Sequence, residues 1–388
     1  MRQKRLVTLF YFNDNIAGKD MFLVPKYLSE ALGMECEFVF PKWKENEHLR
    51  GEYRGVKLTA IKSKSRFHST FWTEKAMLWW LIGHARRIDV LSLFWLNPRN
   101  LAFAKIYKWL NPKGICYIKG DINEASVLAL SPTKTKSWKQ KISNWLAKSV
   151  DIVSVETSLA QERLKEGVMG ANIARAVTYL PNAFDDQLCQ ELRVEAKPFD
   201  QKENLIITVG RIGHKEKNNE MLLNALYGIS MKDWKVWFVG PIEDNFRIAY
   251  QQFIDQNPDK QHNVCLYGAI NDKRILWEVY NSAKIFVLTS PKEGFPNVFP
   301  EALHFGNYII STNVSSTTDI SNNGKLASVI PVGDTAALQK ELQRVFDNKI
   351  DLTDLYPKII DHGNKFKWSE AIKPLAQRIK DIQDEKSN

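Results

Sequence analysis

Two glutamates, Glu293 and Glu301, stand eight positions apart in the stretch SPKEGFPNVFPEALHFGN, residues 290–307. On one continuous helix they would lie about 80° apart around the axis and share no face. The residues between them argue for a different layout. Gly294, Phe295 and Pro296 favour a loop, Asn297 suits a helix N-cap, and Pro300 is tolerated in a first helical turn. Glu293 then belongs to the loop and Glu301 to the opening of the helix. Free backbone amides near Asn297 and Val298 would point outward between them, and a helix start of this kind attracts phosphate. Two carboxylates flanking an anion site suit a ligand with hydroxyls on either side of a phosphate group. The spacing alone means little, because glutamate pairs at this distance are common; its context gives it weight.

A second cluster lies upstream in TVGRIGHKEKNNEMLLNAL, residues 208–226. Arg211 follows a glycine that closes an apolar run. Lys217 comes six residues later, ahead of a helical pattern with Met221, Leu222, Ala225 and Leu226 on its apolar side. Two cations at the carboxyl end of a strand can neutralise a diphosphate without a metal. The plainer alternative is a pair of solvated surface charges.

These residues need a scaffold, and the chain's patterning supplies one. Short β-branched and aromatic runs alternate with longer stretches at helical spacing. In the first half the strand candidates are 5–12, 36–40, 56–61, 89–95, 115–119, 151–155 and 176–180. After a polar stretch at 182–204, three further strands each end in glycine, at Gly210, Gly240 and Gly268, and a fourth at 284–289 runs into the two-glutamate stretch. The glycines are 30 and 28 residues apart, about the length of one strand-helix-strand unit. Alternation of this kind predicts parallel sheets covered on both faces, with ligands at the carboxyl ends of the strands.

Together, GRIGHKEKN and EGFPNVFPEAL, about 80 residues apart and each directly after an expected strand, resemble the donor-binding half of glycosyltransferase family 4. The resemblance implies an α/β chain of GT-B architecture: two doubly wound Rossmann-like domains facing a cleft, with a C-terminal helix crossing back to the first. The expected domains are 1–185 on the acceptor side, 186–365 for the nucleotide-sugar donor, and 366–388 for the returning helix, where Trp368, Ile372, Leu375, Ile379 and Ile382 fall on one side. It implies that Arg211 and Lys217 hold the nucleoside diphosphate, that Glu293 contacts the transferred sugar and that Glu301 binds the ribose hydroxyls. Gly210, Gly240, Ile270, Gly294, Phe295, Asn297 and Val298 complete the implied donor site, the loop amides taking the phosphates. The implied reaction is metal-independent transfer of a hexose with retention, from a nucleoside-diphosphate sugar and with no further cofactor. The acceptor would be a glycan or lipid-linked glycan, by family habit in bacterial surface polysaccharide synthesis.

On the acceptor side the resemblance points to Gly18 and Lys19 after the first strand, to Lys119 and Asp121 after Tyr117-Ile118, and to Glu156 at a further strand end. Asp121 would orient the acceptor or touch the sugar, or else cap the segment that follows; Lys119 would help with phosphate. The stretch TKTKSWKQKISNWLAKSVD sets Trp138, Ile142, Trp145 and Leu146 on one helical face among lysines. That face either packs into the first domain, the reading the tryptophans favour, or rests on an anionic membrane.

Bulk properties fit a globular protein with anionic partners: 388 residues, 44% apolar, 25% charged and a net charge of +10. Cys36, Cys116, Cys189 and Cys265 are too scattered for a zinc or redox motif and read as reduced core residues. The apolar run after the basic start is too short for a signal peptide, and the longest elsewhere, AMLWWLIG, is less than half a membrane span, so a cytoplasmic protein is expected. A nicotinamide enzyme would show a G-x-G-x-x-G turn, and none follows any strand. A non-catalytic nucleotide-binding homologue, or a basic module for membrane or nucleic acid, remains as the rival; no nucleic-acid partner is expected of the transferase.

Overall fold

The computed structural model describes residues 2–63, 71–121 and 138–387. The chain forms two compact units, Met1–Pro181 with Ala371–Asn388, and Asn182–Glu370. The junctions fall at 181/182 and 370/371, where the sequence placed them at 185/186 and 365/366.

The first unit is built on an eight-stranded sheet. Its strands are β1 (Arg5–Leu9), β2 (Glu35–Pro41), β3 (Gly51–Tyr53), β4 (Val56–Ile61), β5 (Val90–Phe94), β6 (Ile115–Lys119), β7 (Ile152–Val155) and β8 (Val177–Tyr179), in the order β3-β4-β2-β1-β5-β6-β7-β8. β5, β6 and β7 are buried along their whole length, as a sheet covered on both faces requires. All neighbours pair in parallel except β3 and β4. These two join through Arg54 and Gly55, both with positive φ, the geometry of a tight primed hairpin turn. No apolar run announces β3, because all three of its residues are exposed.

The helices used below are α1 (Asp20–Leu32), α2 (Phe71–His84), α3 (Pro98–Leu110) and α4 (Trp138–Ala147). The C-terminal stretch is two helices, Trp368–Ala371 and Lys373–Ser387, not one. Pro374 lacks an amide hydrogen and crowds the preceding turn, so it starts a helix readily and continues one poorly. The second helix belongs to the first unit. Arg378 donates to the carbonyls of Arg175 and Val177 at 2.7 and 3.0 Å, and Lys386 reaches Asp151 at 2.8 Å.

The second unit holds six parallel strands, β9 (Glu203–Val209), β10 (Lys235–Val239), β11 (Val264–Gly268), β12 (Ala283–Leu288), β13 (Tyr308–Thr312) and β14 (Ala327–Ile330). Their order is β11-β10-β9-β12-β13-β14, so the winding reverses between β9 and β12. Leu205, Ile206 and Ile207 of β9 and Ile285, Phe286 and Val287 of β12 are wholly buried at its centre. β11 lies at the edge, and Cys265 on it is exposed, unlike Cys36, Cys116 and Cys189. The expectation of four core cysteines fails at this one because an edge strand leaves room for a side chain at solvent. Both units are thus doubly wound α/β layers, each with its own core.

Candidate functional site

In an open α/β sheet, ligands bind outside the carboxyl ends of the strands where the winding reverses. In the second unit that point is β9/β12, and both sequence clusters leave the sheet there. Arg211 and Lys217 follow β9; Glu293 and Glu301 follow β12. The two loops are joined directly, since the Thr289 hydroxyl donates to the Lys217 carbonyl at 2.9 Å. Glycines let the neighbouring strand ends crowd together. The Gly210 amide donates to Val239 O at 3.0 Å and the Gly240 amide to Gly268 O at 2.8 Å. A Cβ on Gly240, whose φ is +138°, would lie 1.8 Å from the Gly210 carbonyl oxygen. Only glycine fits there, for steric as well as conformational reasons.

Each predicted charge has a partner. Lys217 Nζ donates to Glu293 Oε1 at 2.5 Å, so the cation of one cluster meets the carboxylate of the other. Both side chains are only about one-fifth exposed (22% and 18%), enough to be reached by a ligand. Arg211 is exposed and donates to Glu216 Oε2 at 2.8 Å, with His214 nearby. Glu301 is buried within the helix Val298–His304, and its Oε1 accepts from Lys273 Nζ at 2.5 Å and from Trp277 Nε1 at 3.2 Å. Trp277 is itself fully buried, so the indole fixes the carboxylate from below.

Glu216, Lys273 and Trp277 were not identified from the sequence. Lys273 and Trp277 sit one helical turn apart on the helix Lys273–Ser282, the unit following β11. The signal was available as a pair at i and i+4 beginning five residues after a strand-end glycine, but only topology shows that this helix abuts the one carrying Glu301. Asn307, the last residue of the opening stretch, is wholly buried and ties the end of that helix to the start of β12 through the carbonyls of Tyr280 and Ala283.

The loop itself differs from expectation in two places. Asn297 occupies the N-cap position with helical φ and ψ (−60°, −21°) and makes no side-chain cap, because its own backbone has already entered the helical turn. Phe295 is buried and packs against Phe366 with ring centres 5.7 Å apart, while its carbonyl accepts from Asn182 at 2.8 Å. Its ring is therefore core, and Phe295 leaves only its backbone amide for a ligand. Gly294 and Val298 flank it on either side, and Ile270 is half-buried on the loop after β11.

In the first unit, Lys119 ends β6 and is wholly buried, with Asp20 Oδ2 at 2.8 Å and Glu156 also bonded to its ammonium. Burial works against the Lys119 charge, but the two carboxylates outweigh it and hold its pKa above the usual lysine range. The Glu156 carboxyl is pushed up to about 7, first by burial and then by Asp20 and Asp121, against the pull of Lys119. The expectation that Lys119 helps with phosphate is corrected here: a lysine enclosed by two carboxylates has its charge already neutralised and no exposed surface. Gly18 and Lys19 are exposed just before α1, and Asp121 is exposed at the end of β6. The segment that Asp121 was expected to cap lies outside the described residues. Among the described residues, no three His, Cys, Asp or Glu side chains are grouped so as to hold a metal ion.

The membrane-or-core alternative for residues 134–150 is settled in part. Trp145 is 52% exposed and Ile142 48%, so this face of α4 is not core as favoured from the sequence. The reason is geometric: α4 lies against α3, and Ala147, with the turn through Val150 behind it, supplies the inward contacts. The side chain of Trp138 lies outside the described residues.

Residues 190–365, most of the second unit, match the family model for glycosyl transferases group 1. The capsular polysaccharide biosynthesis glycosyltransferase CapM of Staphylococcus aureus is 23% identical over 214 residues, 52% of this chain and 53% of CapM. The chain spans about half the length of the curated relatives it matches. Among solved structures, sucrose-phosphate synthase from Thermosynechococcus elongatus superposes with a TM-score of 0.69 at 15% identity, covering 98% of this chain and 99% of that one. HepE of Anabaena in complex with UDP superposes with a TM-score of 0.66 at 13% identity, covering 98% and 100%. The fold is that of the GT-B glycosyltransferases, two Rossmann-like domains on parallel sheets.

Proposed function

We propose that the protein is a retaining glycosyltransferase of family 4. It moves a hexose, without a metal, from a nucleoside-diphosphate sugar to a hydroxyl of a glycan or lipid-linked glycan, in the synthesis of a bacterial surface polysaccharide. The observation that carries this reading is that Arg211 and Lys217 follow β9 and Glu293 and Glu301 follow β12, the two strands at the winding reversal, with Lys217 bonded to Glu293, all within the matched residues. HepE, of the same fold, was solved with UDP, and CapM is named for capsular polysaccharide synthesis; both support the choice of donor and pathway class.

In this reading the diphosphate takes over the cations that Glu216 and Glu293 hold in the free protein. Arg211 grips it with a planar fork and Lys217 with a point charge. Glu293, released from Lys217, turns to hydroxyls of the sugar, and Glu301 receives the ribose diol while Trp277 and Lys273 keep it in place. Backbone amides of Phe295, Asn297 and Val298 add donors to the phosphates. As the sugar–phosphate bond breaks, charge gathers on the departing phosphate beside Arg211 and Lys217, and the acceptor hydroxyl attacks from the face the nucleotide leaves. Asp121 is the exposed carboxylate of the first unit that would orient the acceptor. A lipid-linked acceptor would place the work at the inner, cytoplasmic face of the cell membrane.

The test is transfer from a panel of nucleoside-diphosphate sugars by the native protein and by Arg211→Ala and Lys217→Ala. Each variant should lose about 10²- to 10³-fold in rate while folding normally. The product should keep the donor's anomeric configuration by proton NMR, and a chelator should leave turnover unchanged. A variant with near-native turnover would remove that residue from the proposed site.

A further inference from the structure

The exposed aromatic side chains of the first unit are concentrated on α2, α3 and α4, which lie side by side. On α2 the inward stripe is Thr73, Met77 and Leu81, four residues apart, and all three are buried. The opposite stripe carries Trp72, Lys75, Trp79 and Ile82, all exposed, and runs on to Arg86. Trp79 is 62% exposed, Trp109 near the end of α3 is 80% exposed, and Trp145 with Ile142 on α4 adds two more apolar groups.

Cations are interleaved with them. Lys105 on α3 places its ammonium 4.5 Å from the centre of the Trp145 ring on α4, and Lys75 lies 5.5 Å from that of Trp72. Lys141 and Lys148 are exposed beside Ile142 and Trp145. α3 and α4 contain no aspartate or glutamate, and the acidic residue of α2, Glu74, is paired with Arg99 at 3.0 Å. A face that offers tryptophan and uncompensated lysine together matches the headgroup region of an anionic bilayer, where an indole buries its ring and keeps its N–H wet while lysine meets phosphate. It does not match a protein core, which excludes the lysines, or free water, which disfavours the rings. No described helix is long and apolar enough to cross a membrane, so the contact is in the plane of the surface.

We propose that the face formed by α2, α3 and α4 docks the protein on an anionic lipid bilayer, with Trp79, Trp109 and Trp145 entering the headgroup layer and Lys75, Lys105, Lys141 and Lys148 engaging lipid phosphates. This stands on the exposure and charge of the three helices and not on the transferase reading, and its test needs no turnover.

The full chain is mixed with vesicles of phosphatidylcholine, or of equimolar phosphatidylcholine and phosphatidylglycerol, and bound protein is measured by sedimentation with tryptophan emission as a second readout. Native protein should bind the anionic vesicles at least about tenfold better than the neutral ones, less at high salt, with a blue shift in emission. The triple variant Trp79→Ser, Trp109→Ser, Trp145→Ser should lose about a hundredfold in partitioning. Lys75→Glu with Lys141→Glu should lose about fivefold or more per charge, both variants keeping the native thermal transition because the changed side chains are exposed. Absence of native binding to anionic vesicles, or undiminished binding by the tryptophan variant, overturns the proposal. So does a native dimer that dissociates in the tryptophan variant while neither protein binds vesicles, which would make the face a contact between copies.

Discussion

Replacing Glu301 by alanine and by glutamine should separate what this carboxylate does for the fold from what it does for a ligand. Alanine removes the acceptor of a fully buried indole, the Trp277 N–H at 3.2 Å. Leaving that donor unsatisfied costs about 1–3 kcal/mol, and losing the half-exposed Lys273 partner adds up to about 1 kcal/mol. In a unit of this size each kcal/mol moves the melting temperature by about 2–4 °C, so Glu301→Ala should melt about 2–16 °C lower. Glutamine keeps an oxygen for Trp277 and loses only the charge, a cost to the fold of about 1 kcal/mol or less. It also weakens the charge-assisted bond to a ribose hydroxyl, worth about 1.5–3 kcal/mol, so nucleotide affinity should fall about 10- to 150-fold. Differential scanning fluorimetry and titration calorimetry with the preferred nucleoside diphosphate measure the two effects separately. Native affinity in a stably folded Glu301→Gln protein would refute the ribose role; equal melting of the alanine and glutamine variants would refute the role given to Trp277.

The strand-end glycines should differ sharply in tolerance. Gly240→Ala drives a methyl group into the Gly210 carbonyl and should cost more than about 4 kcal/mol, whereas Gly210→Ala, whose Cβ would meet only the Lys217 side chain, at 3.7 and 3.9 Å, should cost about 1–3 kcal/mol from its positive φ; urea melts compare them. Lys217→Met and Glu293→Gln should be strongly non-additive in the fold, because each leaves the other's charge unpaired at a 2.5 Å contact, and a double-mutant cycle showing simple additivity would contradict that pairing. Glu156 has a pKa raised in the folded state, so its contribution to stability is present in acid and is lost as pH rises through about 7. Glu156→Gln cannot ionise, and its melting temperature should therefore gain on that of the native protein between pH 5 and pH 8; a constant difference across that range would contradict the raised pKa.

Parallel strands were legible from two patterns: a run buried on both faces, as at Ile115–Lys119, and an alternating half-buried run, as at Val56–Ile61, and in both the observed limits equal the expected ones. β3 was not legible, since a three-residue exposed edge strand has no hydrophobic signature. The split of the C-terminal stretch at Pro374 was written in the sequence but hidden by the regular apolar spacing on either side. At the candidate site the charged residues on loops could be found from their place after strand ends. Their partners could not, because Lys217 with Glu293 and Lys273 with Glu301 lie 76 and 28 positions apart and meet only through the strand order. Lys119 shows the converse. A lysine at a strand end reads as a ligand for phosphate, and only the three-dimensional arrangement reveals Asp20 and Glu156 beside it. Trp145 was misread because helical periodicity shows that a face is apolar, not what the face lies against.

The most direct test of the account is the thermal stability of the purified protein in a panel of nucleoside diphosphates, alongside Arg211→Ala and Glu301→Gln. The account predicts that one nucleotide, at about 100 times its dissociation constant, stabilises the native protein by about 2.7 kcal/mol, and that both variants at the same concentration respond much less. No response to any nucleotide, or a response of equal size in both variants, would contradict the assignment of a nucleoside-diphosphate site to the β9/β12 reversal.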